Sequence, residues 1–396
     1  MKLSEFCPPE ILQVYIEKDL VNVHKNEDGL TGYCYTQNVY KMDPSEWKSG
    51  LSFLRGLVVD EEDNIVAFPY KKFWEYRKNT NLNDIRSVWE LSEKIDGSLI
   101  IVFLYNGKLY TKTKSSFDSW QALRALEILG QCPHIFQEGY TYLFEYVSPE
   151  NQIVVYYPKE ALYFLDIIKI IGEEKPRLIT GNEVRLRTRL LLENTFGTDV
   201  IKVPFRKVFP SLEIALSFPV QPLTEGYVLK ALETDPPIMF KLKSEEYKIV
   251  HSIFSSTMIN KKNFYKSIFV NSNYEKFLEK FTAFFGKSPY YQETIRFLEA
   301  FKSFRETIKE RLRQAYEDLY AEYEGDFKKL GEFYNKTKKN TSYLFGLFEY
   351  LKAPEEKREE VLTQITDVFF DRELDMLMNI FNEQNKFGEI LLKIGD

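Results

Sequence analysis

The sequence predicts an α+β protein, with a mixed domain built on antiparallel sheets over residues 1–250 followed by an all-α domain over residues 251–396. Three observations carry this expectation. Up to about residue 250, short runs of β-branched and aromatic residues alternate with turn formers. Beyond it, apolar side chains recur at steps of three and four. The chain's 396 residues, 44% hydrophobic and 28% charged, are enough for two cores.

In the first part, Leu99–Phe103, Lys108–Thr111 and Gln152–Tyr157 read as strands. Tyr105-Asn106-Gly107-Lys108 is a hairpin turn, because Asn-Gly accepts the positive φ that a two-residue loop requires. In the second part, Ser288-Pro289 supply an N-cap and first turn. Phe297, Phe301, Phe304, Ile308, Leu312, Tyr316 and Leu319 then form one apolar stripe. Ala353-Pro354-Glu355-Glu356 opens another helix, its acidic first turn matching the helix dipole. No repeat, low-complexity tract or Gly/Ser linker divides the two parts.

A net charge of −6 argues against a protein that coats nucleic acid, so any such contact must be local. The basic stretch from Lys261 to Lys309 is the expected place for it. It holds Lys261, Lys262, Lys266, Lys276, Lys280, Lys287, Arg296, Lys302, Arg305 and Lys309, interleaved with Phe and Tyr. Cys7, Cys34 and Cys132 are odd in number and unrelated in spacing, which supports neither a disulfide framework nor a zinc site. A reducing compartment is expected, with no membrane span and no signal peptide. His24, His134 and His251 fall outside every motif and read as structural or exposed.

The chemistry concentrates on Lys94-Ile95-Asp96-Gly97-Ser98, where a lysine meets a turn with a carboxylate two residues on and a glycine that permits close backbone approach. Upstream stand Leu54-Arg55-Gly56 and Lys71-Lys72-Phe73-Trp74; downstream, Thr111-Lys112-Thr113-Lys114 and Leu143-Phe144-Glu145-Tyr146-Val147. Glu225-Gly226-Tyr227-Val228 and Phe240-Lys241-Leu242-Lys243-Ser244 complete the set. In each, charges interrupt apolar, β-favouring stretches. If these are strands, the charges converge on one sheet face, an arrangement costly for stability unless phosphates and a metal fill the space between them.

This ordered set resembles the covalent nucleotidyltransferase superfamily of ligases and RNA capping enzymes, and within it the phage-type RNA ligase family 1, over roughly residues 50 to 250. The final motif, F-K-x-K-S-x-x-Y, is matched through Tyr247. The resemblance implies an ATP-grasp-like nucleotidyltransferase domain followed by a helical RNA-specificity domain. It makes Lys94 the nucleophile toward the α-phosphate of ATP, with Lys114, Lys241 and Lys243 lowering its pKa and binding phosphate. Arg55 and Lys72 would clamp the outer phosphates, Trp74 would fill an aromatic position, and Glu145 would bind the ribose hydroxyls. Asp96 would orient the lysine or a metal-bound water, Gly97 and Gly226 would allow close approach, and Glu225 would hold Mg2+ or Mn2+. The implied reaction joins 5′-phosphate to 3′-hydroxyl RNA ends through lysyl-AMP and adenylated RNA. The implied setting is RNA or tRNA repair in the cytoplasm, or the host cytoplasm for a phage protein, after an end-healing kinase-phosphatase.

No phosphate loop or paired H-x-T accompanies these motifs, since Phe281 stands where a G-x-x-x-x-G-K-S loop needs its first glycine. Three alternatives share the pattern: a capping guanylyltransferase, a DNA ligase, and a catalytically silent RNA-binding protein on the same fold. A capping enzyme would continue into a β-rich OB-fold.

Overall fold

In a computed structural model of the protein, the described residues are 1–42, 47, 50–77, 85–170, 177, 178, 182–234, 237–248, 250, 251, 268, 274–288, 291–337 and 342–385. The chain divides into two compact units, Met1–Tyr247 and Lys248–Asp396.

In the first unit β1 (Val21–Lys25), β2 (Thr31–Tyr35), β3 (Arg55–Val59) and β4 (Ile65–Ala67) form an antiparallel sheet in that order. Next along the chain come β5 (Trp74–Glu75), β6 (Trp89–Glu93), β7 (Ser98–Tyr105), β8 (Lys108–Thr113), β9 (Tyr140–Val147) and β10 (Ala161–Lys169). The last are β11 (Arg177–Leu178), β12 (Ile201–Lys202), β13 (Arg206–Phe209), β14 (Gly226–Ala231) and β15 (Met239–Lys243). They build a second sheet, β11-β10-β9-β7-β8 with β12 beside β10, and a third, β13-β6-β14-β15-β5. Pairing is antiparallel except for the short parallel contacts of β12 with β10 and β5 with β15. The helices are α1 (Pro9–Glu17), α2 (Trp120–Leu129), α3 (Asn182–Phe196) and α4 (Leu212–Leu216).

The apolar run of β7 is continuous because both its faces are covered. Ile101 and Phe103 join the core of the first sheet, whereas Ile100 and Val102 join a second core with Ala125 and Leu129 of α2 and Leu192 of α3. A third core gathers Trp89, Leu91, Tyr227, Leu229 and Phe240 beside Ala215 of α4. The expected hairpin forms, with Tyr105 opposite Lys108 and positive φ at Asn106 and Gly107. Gln152–Tyr157, expected as a strand, is not one. The amides of Val154 and Val155 both donate to Asp96 Oδ2 at 2.8 Å, so this backbone is committed to a side chain instead of a ladder.

The second unit is helical among its described residues: α5 (Tyr274–Phe285), α6 (Tyr291–Glu322), α7 (Phe327–Thr337), α8 (Leu347–Lys352) and α9 (Arg358–Asn385). Phe297, Phe301, Phe304, Leu312 and Tyr316 of the expected stripe are buried. Ile308 and Leu319 are half-buried. Phe301 and Phe304 pack on Phe370 and Phe381 of α9. Pro354 precedes a 3-10 turn, Glu355–Lys357, and the α-helix proper begins at Arg358.

Part of the expected basic stretch is engaged with acids, while Lys276, Lys287 and Arg296 are exposed. Lys302 pairs with Glu275 at 3.3 Å, the buried Arg305 with Asp367 at 2.7 Å, and Lys309 with Glu359 at 2.8 Å. These cations link α6 to α5 and α9. Lys261, Lys262, Lys266 and Pro289 lie outside the described residues. Cys7, Cys34 and Cys132 are free thiols, and no described helix is long and apolar enough to cross a membrane.

Candidate active site

Residues from all three sheets of the first unit line one pocket. Arg55, Lys94, Glu145 and Lys241 give it charge, and Leu99, Leu165, Val228 and Met239 give it apolar walls. Lys94 follows the last residue of β6, and its backbone amide donates to Gly226 O at 2.9 Å, tying the nucleophile's loop to the start of β14. Gly226 has φ +126°, and a Cβ there would lie 2.0 Å from Leu242 O. At Gly97 a Cβ would lie 2.3 Å from Tyr146 O. Both glycines are therefore needed for backbone approach, as the sequence implied.

The Lys94 ammonium is paired with Glu225 Oε2, and Glu225 Oε1 pairs with Lys243 Nζ at 3.1 Å. One buried carboxylate thus bridges two lysines. Burial works against a charge on Lys94, but Glu225, Glu145 and Asp96 outweigh it and hold the ammonium above the usual lysine range. This reverses the expectation that neighbouring lysines depress Lys94. The depressed lysine is Lys241, which burial and the charges of Lys94, Lys72, Arg55 and Lys243 push down to about 7. Glu145 is pushed up to about 7, by burial and by the Glu225 and Asp96 charges, against the pull of Lys94 and Arg55.

Asp96 is held by the protein on both sides. Its Oδ2 accepts the Val154 and Val155 amides, its Oδ1 accepts from Tyr247 Oη at 2.7 Å, and its own amide donates to Tyr157 Oη at 3.2 Å. Both carboxylate oxygens are engaged by protein, so Asp96 fixes the loop carrying Lys94. That gives Tyr247 its place: it closes the Asp96 network from the border of the unit.

Arg55 Nη1 is buried without a hydrogen-bond partner among the described residues, a donor suited to an incoming anion. Lys72, Trp74 and Lys114 lie outside the pocket lining and form a group of their own, with Lys72 in electrostatic reach of Arg55, Lys114 and Lys241. Lys72 Nζ donates to Tyr40 Oη at 2.8 Å, and Lys114 Nζ lies 5.4 Å from the Tyr35 ring.

A second charge cluster, absent from the sequence reading, reaches the pocket lining through Asp166, Arg206 and Lys230. Glu90 of β6 pairs with Arg185 of α3 and Arg206 of β13, each at 2.7 Å. Asp166 of β10 pairs with Lys230 of β14 and with Arg185 at 3.2 Å, and accepts from Tyr70 Oη. Burial alone would raise the Asp166 pKa, but Lys230, Arg206 and Arg185 hold it down at about 2. The available signal was a single acid inside an apolar run, as in Phe164-Leu165-Asp166-Ile167-Ile168.

No group of three His, Cys, Asp or Glu among the described residues could cage a metal. Glu225 and Glu145 fit a different role, in which one or two carboxylates hold a magnesium-type ion whose other oxygens come from phosphate and water. A pocket lined by lysine, arginine and glutamate side chains and apolar walls is what these residues compose.

Residues 54–248, which contain every pocket residue, match the model of the RNA ligase family. That segment, just under half of the chain, is similar to the RNA ligase family. A candidate RNA ligase of Thermovibrio ammonificans is 23% identical over 321 residues, covering 78% of this chain and 76% of that protein. Among solved structures, an archaeal ATP-dependent RNA ligase is 13% identical, with a TM-score of 0.45 and coverage of 72% of this chain and 78% of the other. A variant of a Naegleria gruberi RNA ligase with ATP and Mn is 19% identical, with a TM-score of 0.34 and coverage of 43% and 52%.

Proposed function

We propose that the protein is an ATP-dependent RNA ligase that joins 5′-phosphate to 3′-hydroxyl RNA ends. The observation that carries this reading is that Lys94, Glu145 and Lys241 line one pocket, with Lys94 held by the Glu225–Lys243 ion pair beside it. The Lys94 ammonium first gives up a proton, and the neutral Nζ attacks the α-phosphate of ATP; a P–N bond forms, the bond to pyrophosphate breaks, and a second proton leaves the nitrogen to solvent. Glu225, hydrogen-bonded to the ammonium, stands where it can take the first of these protons. Lys241, Lys243 and Arg55 offset the charge that develops on phosphate, and Glu145 accepts from the ribose hydroxyls. A divalent ion, Mg2+ or Mn2+, held by Glu225 would withdraw charge from the reacting phosphate. The AMP then passes to the RNA 5′-phosphate, and the 3′-hydroxyl displaces it.

In this reading residues 1–250 do the chemistry and residues 251–396 choose the RNA, a nicked tRNA prepared by a kinase-phosphatase being the fitting substrate. The test is intact mass after incubation with ATP and Mg2+. An adduct of about 329 Da, the mass a lysyl-AMP adds, is expected in the wild type and lost in Lys94→Ala. An adduct that persists in Lys94→Ala overturns the reading, and an adduct formed with GTP in place of ATP moves it to a capping guanylyltransferase.

A further inference from the structure

Tyr35, Tyr40, Trp47 and Trp74 surround the Lys72 ammonium, which lies 4.5 Å from the Tyr40 ring centroid, 4.9 Å from that of Trp74 and 5.8 Å from those of Tyr35 and Trp47. Among the described residues no carboxylate pairs with Lys72; the rings and the Tyr40 hydroxyl are its partners. Trp47 is the centre of the group, 5.0 Å from Trp74 and 5.9 Å from Tyr40. Trp47 and Tyr35 are buried, whereas Tyr40 is 54% and Trp74 40% exposed.

A cage that served only to hold a lysine would gain by covering its rings. Two of these four instead turn about half their surface to solvent, next to the ammonium groups of Lys72 and Lys114. Exposed aromatic faces beside cations are what single-stranded nucleic acid binds, because every base has a face to stack and every linkage a charge to neutralise. The placement agrees. Trp74 pairs in register with Phe240, and the next pair brings in Lys241 of the pocket, so the rings adjoin the phosphate-binding end. With a chain charge of −6, RNA contact must be local, and Lys302, Arg305 and Lys309 of the helical unit are already committed to acids.

We infer that Tyr40 and Trp74, backed by Trp47 and flanked by Lys72 and Lys114, are a stacking site for a base of single-stranded RNA close to the end being joined. The inference rests on the RNA ligase reading and supplies its missing RNA contact. Its test is titration of the full chain, without ATP, with a short 5′-phosphorylated single-stranded RNA, followed by tryptophan fluorescence and RNA anisotropy. The wild type should show quenching on binding. Tyr40→Leu and Trp74→Leu should each weaken binding about tenfold or more, the scale of one lost stack, while Tyr40→Phe stays within about twofold. Unchanged affinity in both leucine variants overturns the inference. So does an equal loss in Tyr40→Phe, which would assign the effect to the hydroxyl on Lys72. A duplex of the same sequence, its bases already stacked, should compete poorly, and equal competition also overturns it. Because binding is read without ATP, the two readings fail separately. Quenched binding without any AMP adduct sinks the ligase reading, and a normal adduct without a stacking effect sinks this one.

Discussion

On one wall of the pocket Asp166, with Glu90 beside it, meets Lys230, Arg185 and Arg206; on another lie Glu145, Lys241 and Lys94, whose ammonium pairs with Glu225 and through it with Lys243. Both groups are buried on the second and third sheets, yet their charges are managed differently. In the first group every carboxylate has cations in direct contact, and Asp166 stays ionised down to about pH 2. In the second, Lys241 and Glu145 have no direct ionic partner among the described residues, and each is driven to a pKa of about 7. Paired charge holds the sheets together; unpaired charge awaits a ligand.

The sharpest break in that comparison is Lys94→Ala, which should abolish adenylation and the sealing of 5′-phosphorylated RNA. The same variant should still seal pre-adenylated RNA, whose AMP is already in place, as a gel assay on the two substrates would show. Next, Glu225→Ala and Lys241→Ala should each lower the rate of adduct formation by at least about a hundredfold, the usual loss for one positioned electrostatic contact, with RNA affinity changing less. Near wild-type rates in both would place these residues at an ordinary strand edge.

Stability should divide the clusters in opposite directions. Asp166→Ala leaves Glu90 as the one carboxylate facing Lys230, Arg185 and Arg206 and should cost about 3–5 kcal/mol, as breaking a buried pair does. Lys241→Met removes a cation that the fold disfavours and should raise the urea midpoint while it removes activity. A fall in both midpoints would erase the distinction.

The smallest effect is in pH. Bound polyphosphate favours the charged form of Lys241, so its pKa must rise from about 7 on binding. Above that pH the free protein lacks the proton and the complex holds it. Binding of ATP should therefore take up a proton and weaken as pH rises past 7. Calorimetry in buffers of different ionisation enthalpy measures this uptake, and Lys241→Met should remove it.

The pocket was legible because its residues lie in short motifs where a strand carries a charge past an apolar run, as in Leu143-Phe144-Glu145. The antiparallel core and the helical second unit were legible from periodicity. What escaped depended on long-range pairing. Glu90 and Arg206 are 116 positions apart and share no motif, so only β6 beside β13 brings them together. Gln152–Tyr157 looked like a strand by composition, and only Asp96, reaching from the Lys94 loop, explains why it is not. Tyr35, Tyr40 and Trp47 passed as ordinary aromatics in a chain with many. The direction of the Lys94 shift was missed for a related reason: the sequence shows how many lysines are near, but not that a carboxylate sits against one of them.

That contact has a chemical consequence for the resting protein. An ammonium held by Glu225 has no lone pair to offer, so before any ligand arrives Lys94, the proposed nucleophile, is a less reactive amine than Lys241. Lys241, half neutral near pH 7, is the more reactive one. An acylating reagent applied to the unliganded protein should mark Lys241 ahead of Lys94, and labelling alone would single out the wrong lysine as the nucleophile.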